Sequence, residues 1–214
     1  MIRFNKSLVM VIFRQNLRKK MTTSKKVRKV RIISGKHKGV SLSVNDDLVK
    51  PTPDRIRETL FNWLSASIEG SRVLELFGGS GCLSVESVSR GSHSAIYIDS
   101  SKKACGAFKD SLVRYRINDV AVKCKDSIEM IQKSNTQKPF DIIFLDPPYG
   151  QYDLIKIIDT LYDHYWASDA SKIYLESNEC LDKIVSSKYQ LIRDSKAGNV
   201  YYGILKLISQ NSLK

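Results

Sequence analysis

The chain has 214 residues, 42% of them hydrophobic and 27% charged, with only 5 prolines, which suits one α/β domain plus a small appendage and excludes a disordered or collagenous chain. Its longest unbroken apolar run, Leu8 to Phe13, is far below the roughly 20 residues of a membrane span, so no span is expected. No membrane partner is expected either, although the charge pattern alone also admits an anionic membrane surface. Of the formal net charge of +13, nearly all sits on residues 1–50, which hold 14 of the 35 Lys and Arg and 2 of the 22 acids; a basic end on an almost neutral body indicates either a polyanionic partner, most commonly nucleic acid, or a solubilising tail.

Residues 1–20 read MIRFNKSLVMVIFRQNLRKK. The apolar run is too short, and lacks a small-residue cleavage site, for a secretory signal. An organellar presequence is a second reading, and a true start at Met21 a third. The favoured reading is a basic, disordered extension over 1–29 with no targeting role. The four cysteines, Cys82, Cys105, Cys124 and Cys180, are far apart and include no C-x-x-C pair. Neither a disulfide framework nor a metal site is expected, and a reducing, cytoplasmic compartment fits.

From Val30 to Val44 the apolar residues alternate around Gly35 and Gly39. This predicts a β-hairpin, with Lys36, His37 and Lys38 at its tip and Arg31 on its first strand, within a small unit over 30–50. Pro51-Thr52-Pro53-Asp54 then opens a helix over 53–68, with Thr52 as N-cap and Ile56, Leu60, Trp63, Leu64 and Ile68 on one face. Beyond Arg72 short apolar runs alternate with helical patterns. Strands are expected at 73–77, 95–99, 120–123, 140–145 and 172–176, with helices near 81–90, 101–117, 126–134 and 153–166 between them. That rhythm means an α/β fold with a mostly parallel, Rossmann-like sheet covered on both faces. Two final strands, 189–193 and 200–208, form a closing hairpin that brings one antiparallel strand into it.

Three places on this frame carry chemistry. The strand VLEL runs into Phe77-Gly78-Gly79-Ser80-Gly81 and then a helix, a backbone that a ligand can approach closely. The third glycine of the dinucleotide fingerprint is missing, since residue 84 is Ser, and Glu75 would repel a pyrophosphate. An acid there suits a cationic, amine-bearing cofactor such as S-adenosylmethionine. The next strand ends in Asp99, suited to two ribose hydroxyls or to capping the following helix. Asp126 after the third strand suits an adenine amino group or, equally, a helix cap. Finally the buried strand before Asp146-Pro147-Pro148-Tyr149 delivers an acid, two rigid residues without N–H donors and an aromatic face. The Asp146 carboxylate and a neighbouring carbonyl suit the two hydrogens of an exocyclic amine, and Tyr149 can stack a base for ~1–3 kcal/mol. A rigid surface turn is the plain alternative.

The succession VLELFGGSG, YID, an acid after the third strand and DPPY resembles the S-adenosylmethionine-dependent amino-methyltransferases of the seven-stranded class. RIISGKHKGVSL, PTPDRIRETLFNWL, LSVESVSRG and AGNVYYGIL narrow the resemblance to the bacterial 16S ribosomal RNA guanine(966)-N2-methyltransferases, over about Val30 to Ile208. The resemblance implies a methyltransferase domain over 51–214 and a hairpin that contacts RNA. It implies that Glu75, Phe77, Gly78, Gly79, Ser80 and Gly81 line the methionine end of the cofactor, that Asp99 holds its ribose and Asp126 its adenine. Asp146 to Tyr149 would grip the target guanine. The basic hairpin, with Arg31, Lys36, His37 and Lys38, would clamp RNA phosphates, and Arg55 and Arg57 either extend that surface or, equally, pair with Glu58 or Asp54 on their own helix. The family usually has Asp where Glu75 stands and often Ala at Gly78.

The reaction implied is a direct methyl transfer to guanine N2 during small-subunit assembly, with S-adenosylhomocysteine as product and no metal, by a chain that is expected to be a monomer. Positioning alone can supply ~7–11 kcal/mol in such a reaction. Competing readings are an adenine-N6 or other amino methyltransferase on DNA or RNA, a non-catalytic RNA-binding assembly factor, and an NAD-dependent enzyme, the last opposed by Glu75.

Overall fold

The computed structural model describes residues 28–44, 52–185 and 187–208. The basic extension expected over 1–29, with its alternative start at Met21, lies outside the described residues up to 27, and its last two residues, Arg28 and Lys29, are in the first strand instead. β1 (Arg28–Arg31) and β2 (Ser41–Val44) form the antiparallel hairpin, Val30 opposite Leu42, with Val30, Leu42 and Val44 buried on its inner face. α1 (Asp54–Trp63), β3 (Arg72–Leu76), α2 (Cys82–Ser89), β4 (Ser94–Asp99), α3 (Lys102–Arg114), β5 (Val120–Cys124), α4 (Ser127–Ile131), β6 (Ile142–Leu145), α5 (Leu154–Asp163) and β7 (Lys172–Ser177) then alternate. α6 (Leu181–Ile184), a single turn that the sequence pattern did not reveal, precedes the hairpin of β8 (Tyr189–Ala197) and β9 (Val200–Leu207).

The seven strands β3 to β9 form one sheet in the order β5-β4-β3-β6-β7-β9-β8. β3 to β7 are parallel, and β9 runs antiparallel to both β7 and β8, as the closing hairpin required. α1, α2, α3 and the small hairpin cover one face over Phe61, Phe144, Tyr174 and Tyr202. α4 and α5 cover the other over Ile143, Leu161, Trp166 and Ile173. Both faces of β6 are therefore sealed, which explains its uninterrupted Ile-Ile-Phe-Leu.

Side-chain caps set three of the six helix starts among the described residues. The Ser101 hydroxyl accepts from the Ala104 N–H at 3.1 Å, and the Asp153 carboxylate accepts from the Lys156 N–H at 3.1 Å. α1 departs from expectation at both ends. Pro53, not Thr52, is its N-cap residue, and the helix stops at Trp63, although Leu64 and Ile68 stay buried in the turns that follow.

The small hairpin is fastened by Glu86. Every residue of α2 is buried, this acid included, because the loop after β1 lies over it. The Glu86 carboxylate accepts from the backbone N–H groups of Ile33 at 2.8 Å and Ser34 at 3.0 Å, and from Arg90 Nε at 2.8 Å. Arg57 completes the knot: its Nη1 lies 3.5 Å from Glu86, and its Nη2 donates to Asp54 at 2.6 Å and to the Arg31 carbonyl at 2.8 Å.

Of the two expectations for Arg57, the structure bears out pairing with Asp54 and corrects contact with RNA. Its side chain is 0% exposed, and it neutralises a buried acid. The hairpin tip is also placed unexpectedly. The Lys36 N–H donates to the Ser89 carbonyl at the last residue of α2, and Lys36 Nζ pairs with Asp119 at 2.7 Å, just ahead of β5. The tip thus lies at the amino ends of the parallel strands, roughly 15–20 Å from their carboxyl ends for strands of this length.

Candidate active site

Right-handed crossovers carry the chain from β3 outward through β4 and β5, then back to β6 on the other side of β3. The strand order reverses between β3 and β6, and the crevice outside their carboxyl ends is the place where open α/β sheets bind ligands. The glycine turn leaves β3 there and Asp146-Pro147-Pro148-Tyr149 leaves β6 beside it, so two motifs about 70 residues apart in sequence meet by strand pairing.

The turn is held from three directions. The Gly78 N–H donates to the Ile98 carbonyl at 2.9 Å, the Gly79 N–H to Asp99 Oδ2 at 2.8 Å and the Phe77 N–H to Ser127 Oγ at 3.1 Å. Phe77 sits at φ 56°, a left-handed backbone that a bulky residue adopts only where its surroundings enforce it. A Cβ on Gly78 would lie 2.3 Å from the Tyr97 ring, and one on Gly81 2.2 Å from the Phe108 ring. The alanine common at Gly78 in the resembling family therefore needs a different Tyr97 position.

Across the carboxyl ends from β5 to β7, the strands deliver Asp126, Asp99, Glu75, Asp146 and Glu176. All five line one cavity of about 500 Å³, together with Phe77 to Ser80, Pro147, Pro148 and Tyr149. No Lys, Arg or His occurs among the described residues that line it. In a chain of net charge +13, a cavity whose charged walls are all carboxylates is built for a cation. A pyrophosphate would meet only repulsion, whereas a ligand with sulfonium and ammonium groups fits.

The acids are differently engaged. Glu75 Oε2 accepts from the Ser84 N–H at 2.9 Å and from the Ser84 hydroxyl, tying β3 to the first turn of α2. Burial pushes its carboxyl up to about 7, against those hydrogen bonds. Asp99 accepts from the Gly79 N–H through one oxygen and from the Ser101 N–H at 2.7 Å through the other. It braces the glycine turn, and Ser101 caps the helix. Asp126 Oδ1 caps α4, accepting from the Ile128 N–H at 2.8 Å and the Glu129 N–H at 3.0 Å, while the residue also lines the cavity.

Asp146 is half-buried at the crevice. Desolvation, and then the negative charges of Glu176 and Glu75, hold its carboxyl well above the usual carboxylate range. Tyr149 stands at the rim, 44% exposed, with its ring available to a base. Tyr152 extends that aromatic wall, 5.0 Å from the Phe77 ring.

The cavity, the glycine turn and the acid-led proline turn form one site. A family model described as Conserved hypothetical protein 95 matches residues 30–206. The chain belongs to this family. Among its relatives is Ribosomal RNA small subunit methyltransferase D of Buchnera aphidicola subsp. Baizongia pistaciae, 36% identical over 183 residues, which span 84% of this chain and 92% of that protein. The protein of the same name from Escherichia coli K12 is 33% identical over 183 residues, 85% of this chain and 91% of that one. The solved structure of yhhF from Escherichia coli, described as a candidate methyltransferase, superimposes with a TM-score of 0.76 at 31% identity, covering 86% of this chain and all of that one. The fold is that of the seven-stranded methyltransferase class.

The structure does not bring the six expected RNA contacts together. Arg55 is exposed on the first turn of α1, two residues beyond Pro53 in the cavity wall, and Arg31 and Lys38 are both exposed on the hairpin. Lys36 is paired with Asp119. His37 has a ring nitrogen, Nε2, buried without a hydrogen bond, and burial and Lys36 hold its pKa down. Sequence reasoning also missed Glu176 and Thr52. An acid at the carboxyl end of a strand was the available signal for Glu176, as it was for Asp99. Thr52 was read as a cap, but its hydroxyl donates to Glu176 at 3.0 Å, across 124 residues.

Proposed function

We propose that this chain transfers a methyl group from S-adenosylmethionine to the exocyclic N2 amine of a guanine in 16S ribosomal RNA, position 966 by the family resemblance, during small-subunit assembly. One observation carries the reading: Asp146, on its proline-stiffened turn, faces the same acid-walled cavity as the glycine turn of the neighbouring strand. The relatives named as small-subunit ribosomal RNA methyltransferases support the substrate class.

When bound, S-adenosylmethionine supplies an electrophilic methyl carbon. On this reading Glu75 and the Gly78-Gly79 backbone hold its amino-acid end, Asp99 its ribose and Asp126 its adenine amine. Asp146 and the Pro147 carbonyl accept the two N–H bonds of the target amine, which keeps the nitrogen lone pair off the ring and aimed at the methyl group. The amine gives up a proton as it takes the methyl group, and the Asp146 carboxylate, ionised once a cation in the acid-walled cavity offsets the charges of Glu176 and Glu75, is placed to accept it. Tyr149 stacks the base after it leaves its own stack. Desolvation by Pro147, Pro148 and Phe144 strengthens each of these contacts.

We further propose that the N-terminal basic segment, β1 and Arg55 grip phosphates, so that RNA binding weakens steeply with salt. The test is Asp146→Ala. Calorimetry should find cofactor binding within a few-fold of the unaltered protein, while methyl incorporation into unmodified small-subunit particles falls by ~10²–10⁴. Retained turnover, or a mapped product other than N2-methylguanine, would refute the proposal.

A further inference from the structure

Glu176 lies on the far side of Asp146 from the glycine turn. In the parallel register Phe144 pairs with Tyr174, and Asp146 and Glu176 each follow two residues later. Two residues along a strand restore the same face, so the two acids stand side by side on adjacent strands, about 4.8 Å apart, and turn to one cavity. Glu75 on β3, Asp99 on β4 and Asp126 just beyond β5 make up the half assigned to the cofactor. Glu176 shares the other half with Thr52, Pro53 and Val200. A base whose amine reached Asp146 would bring its neighbouring ring edge to Glu176.

The carboxylate is held for that use. Its Oε1 accepts from the Thr52 hydroxyl at 3.0 Å and from the Tyr174 hydroxyl at 2.8 Å, and the residue is 4% exposed. Two fixed donors on one oxygen orient the group. Tyr174 in turn stays protonated as a donor, its pKa raised well above the ordinary tyrosine value by burial and by Glu176.

We propose that Glu176 is the specificity-determining residue of the acceptor pocket, accepting the N1–H of guanine while Asp146 takes the adjoining N2 amine. The assignment rests on the proposed guanine-N2 reading. Guanine presents N1–H and N2–H₂ as neighbouring donors, which two adjacent carboxylates match. Adenine presents a lone pair at N1 beside its amine, and a carboxylate there repels it. A buried acceptor left facing another acceptor discriminates far more strongly than shape alone.

The test uses a base with the same amine and the opposite N1. 2-Aminopurine keeps the 2-amino group but offers a lone pair at N1. Small-subunit ribosomal RNA carrying guanine or 2-aminopurine at the mapped position is methylated under single-turnover conditions by the full chain. The unaltered protein should prefer guanine by ~10³-fold or more. In Glu176→Gln the two hydroxyls retain the amide oxygen and turn its NH₂ to the base, so the preference should fall by at least ~100-fold, with 2-aminopurine gaining outright. Cofactor affinity should stay within about threefold, or ~0.7 kcal/mol. Thr52→Val, which removes one orienting hydroxyl and no charge, should lower the preference by about tenfold, or ~1.4 kcal/mol.

An unchanged ratio in both variants, or equal loss on both bases together with loss of cofactor affinity, would overturn the role of Glu176. A product on adenine from the unaltered protein would overturn the guanine reading and this assignment together. N2-methylguanine with an unchanged ratio in the variants would overturn the assignment alone.

Discussion

Replacing Glu75 by Gln should stabilise the ligand-free protein at neutral and higher pH while damaging its cofactor site. Gln keeps the shape, and its amide oxygen can still accept from Ser84, but it carries no charge into a buried position. The Glu75 carboxyl is raised from 4.5 to about 7, chiefly by burial. A native pKa above the unfolded one means that the folded chain binds the proton more tightly. Its stabilising effect is complete below the unfolded value of 4.5, declines as pH rises, and is gone above about 7. The gap corresponds to roughly 3 kcal/mol of destabilisation on the alkaline side. The amide of Glu75→Gln has no such titration, so the stability difference between variant and parent should shift in favour of the variant by roughly 2 kcal/mol between about pH 5.5 and about pH 8. Relief of repulsion at Asp146, which Glu75 helps to hold protonated, adds in the same direction. Urea unfolding of the ligand-free protein at the two pH values measures this. Calorimetry at about pH 8 should show S-adenosylmethionine affinity reduced at least ~10-fold, because a carboxylate facing a cation is gone. A stability difference independent of pH, or cofactor affinity untouched by the change, would refute the account of Glu75 as a strained, buried anion kept for a cationic ligand.

Three further outcomes follow from the knot around Glu86 and from the placement of the basic residues. Glu86→Ala strands the Arg57 guanidinium in a buried site and releases the Ile33 and Ser34 amides, so chemical denaturation should register a loss of about 3–5 kcal/mol, with faster hydrogen exchange at those two amides. Arg55→Ala should weaken RNA binding and reduce the salt slope by about 1, whereas Lys36→Ala, which breaks only an exposed pair at the opposite end, should cost under about 1 kcal/mol of stability and leave methyl transfer unchanged.

The local patterns in this chain made the architecture legible. The β-to-helix alternation, the closing hairpin, the glycine turn and the proline-stiffened acid are each written within a dozen residues, because backbone conformation at glycine and proline and the burial period of a strand are short-range effects. The tertiary structure decided what those pieces meet. Thr52 looked like a helix cap, since threonine before proline caps helices, but its hydroxyl found Glu176 once β7 was laid beside β6. Arg57 suited either an RNA-facing surface or a pair with Asp54 on its helix, and besides that pair became the counter-ion of an acid that the hairpin loop had buried. Lys36 and Lys38 belonged to an apparent phosphate clamp, until packing of the hairpin against α2 put its tip at the amino ends of the strands. Each of these outcomes depends on a partner far away in sequence. Charge and hydrogen-bond roles are set by such partners, so the row of five acids across the strand ends exists only in the folded sheet.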